Sequence, residues 1–299
     1  MRIAFIGLGA MGRPMATHLL AQGFDLRVND ANASLADTFG DAWAAGPAEA
    51  AQGAAIVVTM LPNGHIVRDV ILGSGGVADA LGLGGIVVDT SSSDAGGTVA
   101  LGEKLKARGI ALIDAPVSGG VPLAAEGKLT LMVGGTDETA FTAAQPVLEA
   151  LSAKLMRVGG LGAGHAAKAI NNAIAAAIFA VTSEGVDMGA RFGLDPAALL
   201  EVINASSGRS GISEGLFPGQ VLSRKFALGF GLPLMAKDVA LADKLRDELG
   251  LKLPMIEATH RQMQAALAAL GQQADFTDYF SFNEQTASAA DGELRDRTA

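Results

Sequence analysis

Short apolar runs punctuate the first half of the chain, and most stop at a glycine, proline, serine or acid. They fall at residues 2–6, 24–29, 55–60, 85–89, 110–114 and 129–133. Most are continuous and rich in Val and Ile, the pattern of strands buried on both faces. Helix-like stretches at 14–20 and 95–107 lie between the earlier ones. Alternation of this kind predicts an α/β fold with a doubly wound sheet. The pattern changes near Gly159-Gly160-Leu161-Gly162-Ala163-Gly164 and is helical from there on. Residues 165–191 are Ala-rich with few breakers and predict one helix of about 40 Å. Further helices are expected at 195–205, 233–249 and 254–270, the first opened by Asp195 as N-cap and Pro196 in the first turn. The expected organisation is therefore an α/β domain over residues 1–162 and an all-α domain over 163–299, joined by a long helix.

The first strand runs straight into Gly7-Leu8-Gly9-Ala10-Met11-Gly12, a G-x-G-x-x-G loop. Each glycine has its own task. Gly7 permits the tight turn, Gly9 clears space for a pyrophosphate, and Gly12 lets the next helix lie close to the strand. That helix then offers unpaired N–H groups to the phosphates. With 39 glycines in 299 residues, such a loop alone is weak. The strand before it, the helix after it and Asp30 at the end of the second strand give it weight. An acid about 20 residues past the loop reads the ribose hydroxyls of an adenine dinucleotide. Asp30 is followed by Ala31, so a 2′-phosphate would meet a carboxylate and no adjacent cation. The expected cofactor is NAD in preference to NADP. The bland alternative makes Asp30 an ordinary turn residue.

Composition narrows the partners. A net charge of −9 and a pI near 4.9 argue against nucleic-acid and anionic-membrane surfaces. There is no cysteine, so disulfides and thiolate metal sites are excluded. His18, His65, His165 and His260 lack the spacing of a helical zinc site, and no metal is expected. The glycine loop interrupts any signal-like apolar stretch at the N-terminus, and the run 173–181 looks too short to span a bilayer. Cytoplasmic residence is the expectation.

Three constellations carry possible chemistry. Ser118-Gly119-Gly120 follows a strand end, where a hydroxyl and glycine amides could hold a carboxylate; the alternative is a serine-capped turn. Lys168 and Asn172 are four apart and share a face of the long helix, with Asn171 beside them. A lysine partly withdrawn from water gives up its proton more readily, as metal-free alcohol oxidation requires. The bland alternative is a snorkelling lysine with a capping asparagine. Lys237-Asp238 alone would be an ordinary surface ion pair at a helix start.

Taken in order, five stretches resemble the β-hydroxyacid dehydrogenase family, which includes the 3-hydroxyisobutyrate dehydrogenases. They are residues 7–16, 114–120, 164–172, 206–209 and 234–238, and they span nearly the whole chain. The resemblance implies an NAD-dependent oxidoreductase acting on a small 3-hydroxy acid. It gives Lys168 the role of general acid/base and Asn172 that of holding substrate beside it. It places the substrate carboxylate on Ser118, Gly119 and Gly120. It assigns Leu61, Pro62, Ser92 and Lys237, with residues 7–12 and Asp30, to the cofactor. The apolar surface of the helical half, read from the residues and not from the resemblance, makes a homodimer or homotetramer the expectation. Ala95 stands where the family often has proline, and Ile66 where some members have a polar residue. The residues 276–280 follow the family only loosely. Substrate identity therefore stays open among hydroxyisobutyrate-like, tartronate or succinate semialdehyde, serine and threonate-type acids. A 6-phosphogluconate-type decarboxylating enzyme would need a basic cluster for phosphate, which the chain lacks. An imine reductase would usually replace Lys168, and a non-catalytic dinucleotide-binding module would not need it.

Overall fold

The computed structural model describes residues 1–297, with side chains to residue 288. Its contacts divide the chain into two compact units, Met1–Lys168 and Ala169–Ala299.

The first unit is built on an eight-stranded sheet. The strands are β1 (Arg2–Ile6), β2 (Asp25–Asn29), β3 (Ile56–Thr59), β4 (Ile86–Asp89), β5 (Ala111–Asp114), β6 (Val117–Ser118), β7 (Leu129–Gly134) and β8 (Ser152–Gly159). Five run parallel in the order β2-β1-β3-β4-β5. β7 then pairs antiparallel with β5 and β6, and β8 lies parallel to β7. The helices of this unit are α1 (Gly12–Ala21), α2 (Ala36–Phe39), α3 (Pro47–Ala51), α4 (Gly64–Leu72), α5 (Val77–Leu81), α6 (Ala95–Lys106), α7 (Gly120–Ala125) and α8 (Glu138–Ala150). Successive strand residues feed opposite cores, as the pleat demands. Ile3, Phe5, Val58 and Val88 enter one cluster. Ala4, Ile6, Val57 and Val87 enter the other.

The register has a functional consequence. Asn29, Ile6, Thr59, Asp89 and Asp114 pair in one row across the five parallel strands, at their carboxyl ends. All five are buried. Three of the four polar ones interrupt otherwise apolar strands at the edge where ligands bind in sheets of this kind.

The second unit holds most of α9 (Ala163–Phe192), with α10 (Pro196–Asn204), α11 (Gly211–Gly215), α12 (Leu232–Glu248), α13 (Pro254–Leu270) and α14 (Tyr279–Arg297). Its core is aromatic: the Phe179 ring lies 5.3 Å from Phe217, 4.6 Å from Phe276 and 6.1 Å from Tyr279. Burial pushes the Tyr279 phenol up to about 12. The membrane argument from residues 173–181 fails on length. Those residues belong to a 30-residue helix, long and apolar enough to cross a bilayer by length and composition alone. Ala169, Ala173, Ala176, Phe179, Ala180 and Val186 on that helix pack into the second core.

Candidate active site

The glycine loop has the shape its sequence requires. Gly7 has φ +98°, and a Cβ there would lie 2.2 Å from the Met60 carbonyl oxygen. A Cβ on Gly12 would lie 1.9 Å from the Gly7 oxygen. A Cβ on Gly9 would meet nothing within 4 Å. Gly7 and Gly12 are thus demanded by the protein's own packing, whereas exposed Gly9 borders open space. That is where a bulky anion must approach the backbone, so the loop fits a dinucleotide. Asp30 is tied to the same loop. Its Oδ2 accepts from the Leu8 N–H at 2.6 Å, and its Oδ1 accepts from the Asn32 N–H at 2.7 Å. Each oxygen keeps a further lone pair for a ribose hydroxyl. Ala10 is exposed and Met11 half-buried at the head of α1.

The turns after β3 and β4 are tied to each other. The Leu61 N–H donates to Ser91 Oγ at 2.9 Å. Thr90 Oγ1 donates to the Thr59 carbonyl oxygen at 2.6 Å. Asp89 accepts from Thr59 Oγ1, the Ser91 N–H and Ser93 Oγ at 2.9–3.0 Å. Half-buried Ser92 sits between the anchored Ser91 and Ser93, and Pro62 is exposed.

Ser118 ends β6, and Gly119 and Gly120 follow with φ +139° and +74°. The N-cap of α7 is Gly119, which has no side chain to cap with. Both glycines are exposed and Ser118 is half-buried.

Lys168 is half-buried and is the sixth residue of α9. Asn171 and Asn172 lie a turn further on, well inside the helix, so neither is a cap. Asn172 is buried and donates from Nδ2 to Asp238 Oδ2 at 2.7 Å. Asp238 lies within α12 and is only 3% exposed, with Lys237 Nζ 3.6 Å from its Oδ1. The Lys237-Asp238 pair is therefore no ordinary surface bridge at a helix start. Asp114 and Asp238, like Asp89, are buried carboxylates that the sequence did not single out. Each was visible only as a neighbour of residues already marked. His165 is also buried, its Nδ1 2.8 Å from Thr98 Oγ1.

A largely parallel sheet with a glycine loop at its first turn, an acid hydrogen-bonded to that loop and a helical second unit together fit a dinucleotide-linked oxidoreductase. Residues 2–160 match the NAD binding domain of 6-phosphogluconate dehydrogenase, and residues 162–282 the NAD-binding domain of NADP-dependent 3-hydroxyisobutyrate dehydrogenase. The chain is 34% identical to mouse mitochondrial 3-hydroxyisobutyrate dehydrogenase, covering 94% of this chain and 86% of the relative. It is 39% identical to 2-(hydroxymethyl)glutarate dehydrogenase of Eubacterium barkeri, covering 85% of each. The 3-hydroxyisobutyrate dehydrogenase of Mycobacterium tuberculosis, solved with L-serine, superposes with a TM-score of 0.87 at 31% identity, covering 94% of this chain and 98% of that one. The chain belongs to the β-hydroxyacid dehydrogenase family and is an NAD(P)-dependent hydroxyacid dehydrogenase.

Proposed function

We propose that the chain oxidises a small 3-hydroxy acid of the 3-hydroxyisobutyrate type, reversibly and with NAD, using Lys168 as general acid/base. The observation that carries this reading is the placement of Lys168. It is a half-buried amine one turn past the start of α9, and that start is hydrogen-bonded to the end of β5. β5 in turn leads into Ser118-Gly119-Gly120.

Bound NAD supplies the hydride acceptor. Residues 7–12 hold its pyrophosphate, Asp30 its adenine ribose, and Leu61, Pro62, Ser92 and Lys237 its remaining length. The preference for NAD over NADP rests on Asp30, whose carboxylate is fixed by two backbone donors and would repel a 2′-phosphate. Ser118, Gly119 and Gly120 take the substrate carboxylate and so align the hydroxyl-bearing carbon. Asn172 holds the substrate hydroxyl side. Lys168 Nζ takes the hydroxyl proton as the alcohol is oxidised and returns it on reduction. Positioned proton transfer contributes about 10²–10⁴-fold, and alignment adds to it through proximity.

The test is Lys168→Ala, assayed on a panel of 3-hydroxy acids with NAD and with NADP. Turnover falls by about 10²-fold or more while NADH affinity, read by fluorescence titration, stays put. Retained turnover would remove Lys168 from the mechanism.

Self-association accompanies this reading. Ile170, Ile174, Val181, Met188 and Phe192 are all exposed on α9. At about 100° per residue they fall within one narrow stripe, running roughly 33 Å along the helix. A second copy of the chain is the occupant proposed for this stripe, and Val181→Lys with light-scattering mass measurement tests it.

A further inference from the structure

We infer that Asp114 is a positioning residue for Lys168. The inference rests on the acid/base role proposed for Lys168. Asp114 ends β5 and is fully buried. Its Oδ1 accepts from the Gly162 N–H at 2.8 Å and its Oδ2 from the His165 N–H at 2.9 Å. Both donors belong to the start of α9, where backbone N–H groups have no partner within the helix. A carboxylate there also complements the positive end of the helix dipole.

A helix is ordinarily capped by the residue just before it. Here the cap comes from 48 and 51 residues earlier in the chain. It therefore fixes where the helix starts relative to the sheet, which a local cap cannot do. The packing around the carboxylate leaves little play. A Cβ on Gly164 would lie 2.2 Å from the Met132 carbonyl oxygen and 2.8 Å from Asp114 Oδ2. A Cβ on Gly134 would lie 2.3 Å from Asp114 Oδ1. Two glycines thus admit the helix start and β7 close against one carboxylate.

Short backbone segments lead from this carboxylate to both groups proposed to frame the substrate. In one direction Ala115-Pro116-Val117 leads to Ser118-Gly119-Gly120. In the other, Lys168 is three residues past His165. Asparagine could not replace Asp114 here. It has one acceptor oxygen, and its amide N–H₂ would face the second backbone N–H.

Asp114→Asn and Gly164→Ala are compared with Lys168→Ala and with Asp137→Ala. Asp137 caps α8 through the Ala140 N–H at 2.9 Å and serves as a control for the loss of a cap alone. Melting temperature and NADH sites, counted by fluorescence titration, are measured first. Turnover per NADH site and the primary deuterium isotope effect follow, on the 3-hydroxy acid the wild type oxidises fastest. Asp114→Asn and Gly164→Ala should keep NADH affinity within about twofold and lose about 10- to 100-fold in turnover. Their isotope effect on turnover should rise as the misaligned chemical step becomes limiting. Asp137→Ala should melt earlier with turnover and isotope effect unchanged. Wild-type turnover and isotope effect in Asp114→Asn, whatever its melting temperature, overturn the inference. Should that variant not fold, Gly164→Ala decides. An inactive Lys168→Ala beside an unaffected Asp114→Asn removes only the positioning role, whereas an active Lys168→Ala removes the acid/base reading itself.

Discussion

Asn172 and Asp238 meet 66 residues apart in sequence, Nδ2 donating to Oδ2 at 2.7 Å with both side chains buried. Asn171 Nδ2 donates to Asn172 Oδ1 at 3.1 Å, so both ends of the Asn172 amide are engaged. The carboxylate therefore fixes which way the amide faces. Removing one partner leaves a buried polar group unsatisfied at about 1–3 kcal/mol. Asp238→Ala should lower stability by about that amount in urea unfolding. It should also lower kcat/KM by about tenfold or more through loss of amide orientation, since each 1.4 kcal/mol is a factor of ten. An unchanged kcat/KM would separate Asp238 from substrate handling.

Gly9 and Gly12 should respond in opposite ways to the same added methyl group. At Gly12 it would lie 1.9 Å from the Gly7 oxygen, so backbone must move, and overpacking of this kind costs about 1–3 kcal/mol. At Gly9 it meets nothing of the protein. Gly9→Ala should keep the wild-type melting temperature within a degree or so, given no native contact to lose, yet bind NADH at least about tenfold more weakly. Gly12→Ala should melt earlier even without cofactor. Equal melting temperatures for the two variants would contradict the division of labour in the loop.

Asp30 braces the loop through Leu8 and, in the function proposed above, also reads the ribose. Asp30→Ala should therefore weaken NADH binding and narrow the gap between NADH and NADPH, because the repulsion toward a 2′-phosphate goes with the carboxylate. A wild type that uses both cofactors equally, measured as kcat/KM for each, would refute the Asp30 argument.

The parts legible in the sequence were those with a short-range signature. The runs that became β1, β3, β4, β5 and β7 announced themselves by nearly continuous apolar residues, Val and Ile above all in β3 and β4, and α9 by an unbroken Ala-rich stretch. β8 did not, because it is largely exposed and carries Lys154 and Arg157 among its apolar residues. β6 is two residues long, too short for any period. The antiparallel pairing of β7 is a matter of chain path, which hydrophobic pattern does not encode. The same limit governs the site. Gly7, Gly9, Gly12 and Asp30 could be picked out by spacing, but Asp114 and Asp238 act on partners 48 to 66 residues away. An aspartate beside a known motif looks the same whether it braces a helix or faces water.

Acid stability should depend on Asp243, which braces α12 against α13. Its Oδ1 lies 2.8 Å from Arg246 Nε and its Oδ2 2.8 Å from His260 Nδ1. Arg246 also reaches Glu257 on α13 at 3.0 Å. Burial works against ionisation of Asp243, but the hydrogen bonds from Arg246 and His260 outweigh it and hold the carboxyl below its ordinary value. A depressed carboxyl stabilises the fold at pH above its unfolded value of about 3.9, and that stabilisation is lost as pH falls through the folded value. Asp243→Asn should accordingly melt below wild type at neutral pH. The gap should stay level down to about pH 5 and close below about pH 4. Thermal melts from pH 7 to 3 read this directly, and a gap that stays constant to pH 3 would show that the carboxylate's charge does not brace the helix pair.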